Sequence, residues 1–400
     1  MTDDLMKSSG SGDAGNSTHA DEQRLYPKVR FRGFDEPWKN KKFLTFSSKI
    51  TKNSTSDDID FPRIEFENIV SGEGKLAQNR SKLNHIKSGI KFDKGDILFG
   101  KLRPYLKNWW LAEFPGVAVG DFWVIRAKDN RYFLYYLIQA PLFEKVSNYT
   151  TGTKMPRSDW NYVSNTFFKL PKIDEQEKIG RILDKVDSLL SLQQRKLELI
   201  SALEKGLGQI IKQQNNKYGI TFSLNNFLEI PPQIQARIKN KNQLLTVKLN
   251  LQGIARGVQR DTLSLGSTKY FIRHTGELIF GKQNIFNGSI ALITKEFDGL
   301  ATSNDVPSLK ISNINPQFLF YLLKNPDFWK HTELIATGTG SKRVHIHDLL
   351  KLHIKIIPDA KYQAKIVSLS RNFEKIVLNQ QIIVKECEKT KQFLLQNLFI

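Results

Sequence analysis

Two heptapeptides in this chain have the skeleton of a phosphate-binding loop. Gly95-Asp96-Ile97-Leu98-Phe99-Gly100-Lys101 and Gly276-Glu277-Leu278-Ile279-Phe280-Gly281-Lys282 both read Gly-x4-Gly-Lys. Such a loop cradles phosphates with backbone N–H groups and needs a following Ser or Thr to hold magnesium. Here that residue is Leu102 in one copy and Gln283 in the other, and Ile97-Leu98-Phe99 reads as a buried strand. Nucleotide binding is therefore excluded. The glycines serve turns, and Lys101, Arg103 and Lys282 lie just beyond a strand, where a loop can reach a partner.

Other motifs weaken in the same way. Asn325-Pro326-Asp327-Phe328 is close to the Asn-Pro-Pro-Phe type that holds an adenine amino group, but its counterpart Ala140-Pro141-Leu142-Phe143 has no amide. Both follow an aromatic helix that a Pro stops or turns. His331, His345, His347 and His353 invite a zinc site; no cysteine lies near them, and His345-Ile346-His347 suits a strand or loop. No metal and no cofactor is expected in this chain. Trp109-Trp110, Phe122-Trp123 and Tyr132-Phe133-Tyr135-Tyr136 are read as core packing rather than base-stacking platforms. The single cysteine, Cys387, sits in a helical stretch as a small packed residue.

The best contact candidates are two loops. Thr150-Thr151-Gly152-Thr153-Lys154-Met155-Pro156-Arg157 and Thr337-Gly338-Thr339-Gly340-Ser341-Lys342-Arg343 combine hydroxyls, glycine-exposed backbone N–H groups and cations. Those groups bind phosphate, and Arg also grips guanine. The candidates are Thr153, Lys154 and Arg157, then Thr339, Ser341, Lys342 and Arg343; a polar turn held for packing reasons is the other reading.

The balance of charge says what such loops would meet. Sixty Lys and Arg against 40 Asp and Glu give a formal charge of +20 over 400 residues. That favours a polyanion, nucleic acid first. No stretch approaches the roughly 20 apolar residues of a spanning helix. The start, Met1-Thr2-Asp3-Asp4, lacks a secretory pattern, so a cytoplasmic protein is expected. Forty per cent hydrophobic residues exclude a disordered chain and suit two domains.

The elements that position these residues come twice. The Gly95 heptapeptide returns 181 residues on, Phe133-Leu134-Tyr135-Tyr136-Leu137 returns as Phe318-Leu319-Phe320-Tyr321-Leu322 after 185, and Thr151-Gly152-Thr153 returns as Thr337-Gly338-Thr339 after 186. Leu170-Pro171 followed by Gln176 and Ile179 returns, 187 residues on, as Ile357-Pro358 followed by Gln363 and Ile366. Slowly drifting offsets mean one fold duplicated with small loop insertions. Each copy runs into a helical period. Ile179, Leu183, Val186 and Leu190, then Ile200, Leu203, Leu207 and Ile210, make one apolar stripe; Ile366, Leu369, Phe373, Ile376 and Ile383 make the other. Such seams mark coiled coils, and Gln193-Gln194 and Gln380-Gln381 fall at matching places where a polar residue fixes register. About forty residues at 1.5 Å each span roughly 60 Å.

The fold class expected is α+β: a tail over 1–26, a first mixed domain over 27–172, a central spacer helix over 173–215, a second mixed domain over 216–359 and a distal helix over 360–400. The two helices pair as an antiparallel coiled coil.

The opening Pro27-Lys28-Val29-Arg30-Phe31-Arg32-Gly33-Phe34 with Trp38, the strand Gly95-Asp96-Ile97-Leu98-Phe99, the Thr-Gly-Thr loops, and Leu170-Pro171 leading through Glu175-Gln176-Glu177-Lys178-Ile179 resemble type I restriction-modification specificity subunits. The resemblance runs from about residue 27 to residue 400. It departs at the second helix, where Lys361-Tyr362-Gln363 replaces Asp174-Glu175-Gln176. It implies two target recognition domains, each reading half of a split double-stranded DNA sequence, with the helices as ruler. The implied partners are two modification subunits that use S-adenosylmethionine to methylate adenine, and restriction subunits. The chain itself would be non-catalytic. A stand-alone DNA-binding scaffold or decoy is the alternative, told apart by whether an adenine methyltransferase co-purifies.

Overall fold

The computed structural model describes residues 5–7, 25–55, 58, 60–77, 88–151, 155–257, 268–338 and 340–400, with side chains excepted at 5–7, 150 and 151. The chain forms two compact units: Met1–Arg195 with Ile382–Ile400, and Lys196–Gln381.

In the first unit, a four-stranded antiparallel sheet has the order Trp109–Leu111, Ile97–Gly100, Phe122–Ala127, Ser47–Ile50. Side chains alternate across a strand. Ile97, Phe99, Trp109, Trp123 and Ile125 therefore enter one core, while Leu98, Trp110, Phe122 and Val124 enter another on the opposite face. Burial on both faces is why these strands read as unbroken apolar runs. A smaller sheet pairs Gly116–Ala118 with Arg63–Ile64 in parallel and with Ile90–Phe92 antiparallel.

The second unit repeats this order with Ile290–Leu292, Leu278–Phe280, Ser308–Ile311 and Leu228–Glu229. Again the central strand divides its side chains: Leu278 and Phe280 face the larger core, and Ile279 faces a smaller one. Gly95 and Gly276 open the equivalent central strands at φ 94° and 86°, the left-handed region that glycine enters without strain. In each unit a last strand pair leads into a helix: Lys39–Lys42 with Phe167–Leu170, and Ile220–Ser223 with His353–Ile356.

The central helix is Ile173–Tyr218 and the distal helix is Ala360–Asn397. Matching glutamines pin both beginnings: Gln176 Nε2 donates to the Pro171 carbonyl at 3.0 Å, and Gln363 Nε2 to that of Ile357 at 3.2 Å. In the first unit the start of the central helix (Ile179, Leu183) shares a core with the end of the distal helix (Leu394, Leu398). In the second, the end of the central helix (Leu207, Ile211) shares a core with the start of the distal helix (Ile366, Val367). In the first unit Lys391 Nζ also lies 2.7 Å from Asp187 Oδ1, so contacts there move back along the distal helix as they move forward along the central one, an antiparallel pairing.

Several sequence expectations need correction. Leu203, Ile376 and Ile383 are 64%, 49% and 43% exposed, so they do not lie in the seam. On the central helix the inward stripe is Ile179, Leu183, Val186, Leu190, Gln193, Leu197, Ile200, Glu204, Leu207, Ile211; on the distal helix it passes Ile366, Ser370, Phe373, Val377, Gln380 and Val384. The stripe steps through polar residues, Glu204 and Ser370, whereas an apolar-only count steps aside to Leu203 and Leu369; Leu369 is only half-buried. His345 caps the helix Ile346–Leu350, and His347 lies in it, in place of a strand or loop. Pro141 and Pro326 do not merely stop a helix: each is the first residue of a new one, Pro141–Ser147 and Pro326–His331, where its missing N–H costs nothing. Within the expected tail, Leu5–Lys7 forms a strand antiparallel to Val29–Phe31. Trp110, Phe122 and Tyr136 are each 1% exposed, core residues as read.

Candidate DNA interface

In the first unit, the loop leaving strand Ile97–Gly100 meets the chain returning from residue 155. The Lys101 N–H donates to the Asp121 carbonyl at 2.9 Å, and the Ser158 N–H to the Lys101 carbonyl at 2.9 Å. This backbone clasp sets three side chains together. Arg157 donates from Nε to Asp121 Oδ1 at 3.3 Å and from Nη2 to Oδ2 at 3.1 Å, while Lys101 Nζ lies 3.5 Å from Oδ1. The arginine is 46% exposed, so the cluster faces solvent.

Arg103 stands beside them, its N–H bonded to the Pro156 carbonyl at 2.8 Å. Its φ of 49° and the 57° of Lys107 are left-handed values for residues other than glycine. Such backbone strain is held where surrounding contacts dictate the loop shape, commonly at functional sites. The loop presents Tyr105, 54% exposed. A shallow pocket of 420 Å³ opens among Lys49, Lys101, Trp123, Arg157 and Trp160. Lys49 Nζ sits 5.2 Å from the centre of the Trp160 ring.

The second unit repeats the clasp. The Lys282 N–H donates to the Asp305 carbonyl at 2.9 Å, the Val344 N–H to the Lys282 carbonyl at 2.9 Å, and Thr337 and Arg343 exchange backbone bonds. Arg343, 44% exposed, has Nε 3.9 Å from Asp305 Oδ1. Here Gln283 takes the closer position: with its amide oxygen toward Arg343, it accepts from Nη2 at 2.8 Å, Nε at 3.0 Å and Ser341 Oγ at 3.2 Å. Lys342 turns instead to Glu333, at 2.8 Å.

Burial pushes the Asp121 carboxyl up, but the hydrogen bond and charge of Arg157, joined by Lys101, hold it below its ordinary 3.8. The carboxylate is therefore ionised at neutral pH, and two cations surround one anion.

Of the residues expected from sequence, Lys101, Arg103 and Arg157 come together in one unit, and Lys282, Ser341 and Arg343 in the other. Thr153, Lys154 and Thr339 lie outside the described residues. Sequence reasoning missed Asp121, Asp305 and Gln283. The signal was available: Asp305 follows Asp121 by 184 residues, within the drift of the repeat.

Residues 38–202 match the family model described as type I restriction modification DNA specificity domain. The specificity subunit of the type I restriction enzyme MjaVIII, from Methanocaldococcus jannaschii, is 21% identical over 298 residues, 66% of this chain and 68% of that one. The specificity subunit of EcoDI, from Escherichia coli, is 26% identical over 121 residues, 30% of this chain and 27% of that one. Among solved structures, the S subunit of a type I restriction-modification system from M. genitalium superposes with TM-score 0.59 at 12% identity, covering 94% of this chain and 99% of the other. Likeness at that identity speaks for the fold. The domain matched over residues 38–202 and the relatives above make this chain similar to the specificity subunits of type I restriction-modification systems.

Proposed function

We propose that each unit reads one half of a bipartite DNA target, and that the two helices running through both units hold the gap constant and receive modification subunits. The observation that carries this reading is the duplicated cationic clasp, Lys101 with Arg157 and Lys282 with Arg343, at equivalent places in two units of like topology. Solvent-facing cations on strand-anchored loops supply both phosphate anchoring and base contacts.

The helices support the docking part. Leu199, Leu203 and Ile210 on the second unit's share of the central helix are 55%, 64% and 56% exposed; Leu189 and Leu192 on the first unit's share are 45% and 63%. Intervals of 3, 4 and 7 residues place such leucines along one side of a helix, and apolar stripes of that kind need a partner. The expected occupants are two modification subunits carrying S-adenosylmethionine, with this chain contributing recognition and no chemistry. Co-expression with the modification subunit encoded beside it should give a complex that methylates adenine in duplex DNA when S-adenosylmethionine is added. A chain that purifies alone and leaves DNA unmodified would favour the scaffold reading.

A further inference from the structure

Resting on that reading, we infer that Arg157 and Arg343 are the paired guanine readers of the two units, each set by an acceptor that grips one edge of its guanidinium. The edges are the point. A guanidinium has a side edge, Nε with one Nη, and an end, Nη1 with Nη2. In the first unit Asp121 occupies the side edge of Arg157 through both of its oxygens. In the second, Gln283 occupies the same side edge of Arg343, with Asp305 behind it at 3.9 Å from Nε. Among the described residues no hydrogen bond engages Nη1 of either arginine. Each end, with its two parallel N–H groups, is therefore left unengaged among the described residues, on side chains 46% and 44% exposed.

That arrangement suits a base edge better than a phosphate. Guanine presents O6 and N7 as adjacent acceptors in the major groove, and a bidentate arginine matches both. A carboxylate beside a phosphate-binding arginine would cancel much of its Coulomb attraction. Directional bonds to a neutral base edge survive that cancellation, and a held plane spares the entropy of ordering a long side chain on binding. Asp121 and Gln283 are thus positioning residues, and Arg157 and Arg343 contact DNA.

Two consequences follow. Each half of the target contains at least one guanine on one strand or the other. Substitutions in one unit change one half only. The test is to express the full chain and its modification subunit in a host lacking adenine methylation and map the modified motif for wild type, Arg157→Lys, Asp121→Ala, Asp121→Asn, Arg343→Lys and Gln283→Leu. Arg157→Lys should relax one guanine of one half-site, lowering discrimination there roughly 5- to 150-fold, the equivalent of one good bidentate pair. The other half-site and the melting temperature should stay as in wild type. Asp121→Ala should relax the same position, and Asp121→Asn, which keeps an acceptor, should recover most of it. Arg343→Lys and Gln283→Leu should do likewise in the other half.

An unchanged motif, a half-site of A·T pairs alone, or a loss of methylation uniform across sequences would overturn the inference, the last by marking a phosphate contact. If wild type itself methylates nothing, it is the underlying function that has failed.

Discussion

Arg30 and Glu175 show how much one pair of side chains decides. Arg30 donates from Nε and Nη2 to the two carboxylate oxygens of Glu175, both at 2.8 Å, with the residues 6% and 0% exposed. The pair ties the opening segment of the first unit to the first turn of the central helix. It also explains the departure at the distal helix: the place of Glu175 is taken there by Tyr362, which closes on Phe318 with ring centres 6.2 Å apart. Breaking a buried pair strands a charge, so Glu175→Ala should cost about 3–5 kcal/mol in denaturant unfolding, whereas Arg30→Met with Glu175→Leu should come close to wild type. Equal losses in the single and double variants would contradict this. Asp184 offers a pH test. Burial and the neighbouring Asp187 carboxylate push its pKa above 3.8, with Arg131 opposing. The fold then favours the neutral acid, so Asp184 lowers stability as pH rises from 3.8 through its folded value. Asp184→Asn should melt like wild type below pH 3.8 and above it at neutral pH; the reverse order would remove the argument. Neither pairing was legible in the sequence. Arg30 and Glu175 lie 145 residues apart, and nothing local to either says which cation meets which carboxylate.

At the scale of elements, the two long helices were legible as helices, and their faces only in part. Ile179, Leu183 and Ile366 are buried in the domain cores, because long apolar contacts dominate where a helix meets a core. Toward the middle of the helices, the inward stripe takes polar residues such as Gln380, 3% exposed, and leaves leucines outside. A helix with apolar residues on two faces has no single periodic signal, so a count of apolar steps follows either one. The distinction is measurable. Leu183→Ala should cost about 2–5 kcal/mol as a buried truncation. Leu203→Gln should change stability by less than about 0.5 kcal/mol while weakening retention of the modification subunit in a pull-down. A Leu203→Gln chain that unfolds early yet still holds its partner would put Leu203 back in the seam. Strands were plain from sequence wherever both faces are buried, as at Ile97–Gly100, whereas the small sheet at Arg63–Ile64 is two residues long and left no pattern to read.

For the molecule as a whole, duplication is the organising fact, and it was the most legible. Offsets drifting from 181 to 187 already implied one fold twice, and the strand order confirms it. The site was legible as cations on loops. Its acceptors were not, because an Asp after a strand is ordinary until its partner is seen. In the proposed function two like units, each with a cationic clasp, read a split target, and helices common to both hold its gap. The most direct measurement of that claim is single-molecule mapping of modified adenines in a methylation-free host expressing this chain with its modification subunit. The expected result is one motif of two defined halves separated by a constant number of unspecified base pairs. A contiguous motif, a variable gap, or a soluble complex that modifies nothing would contradict it.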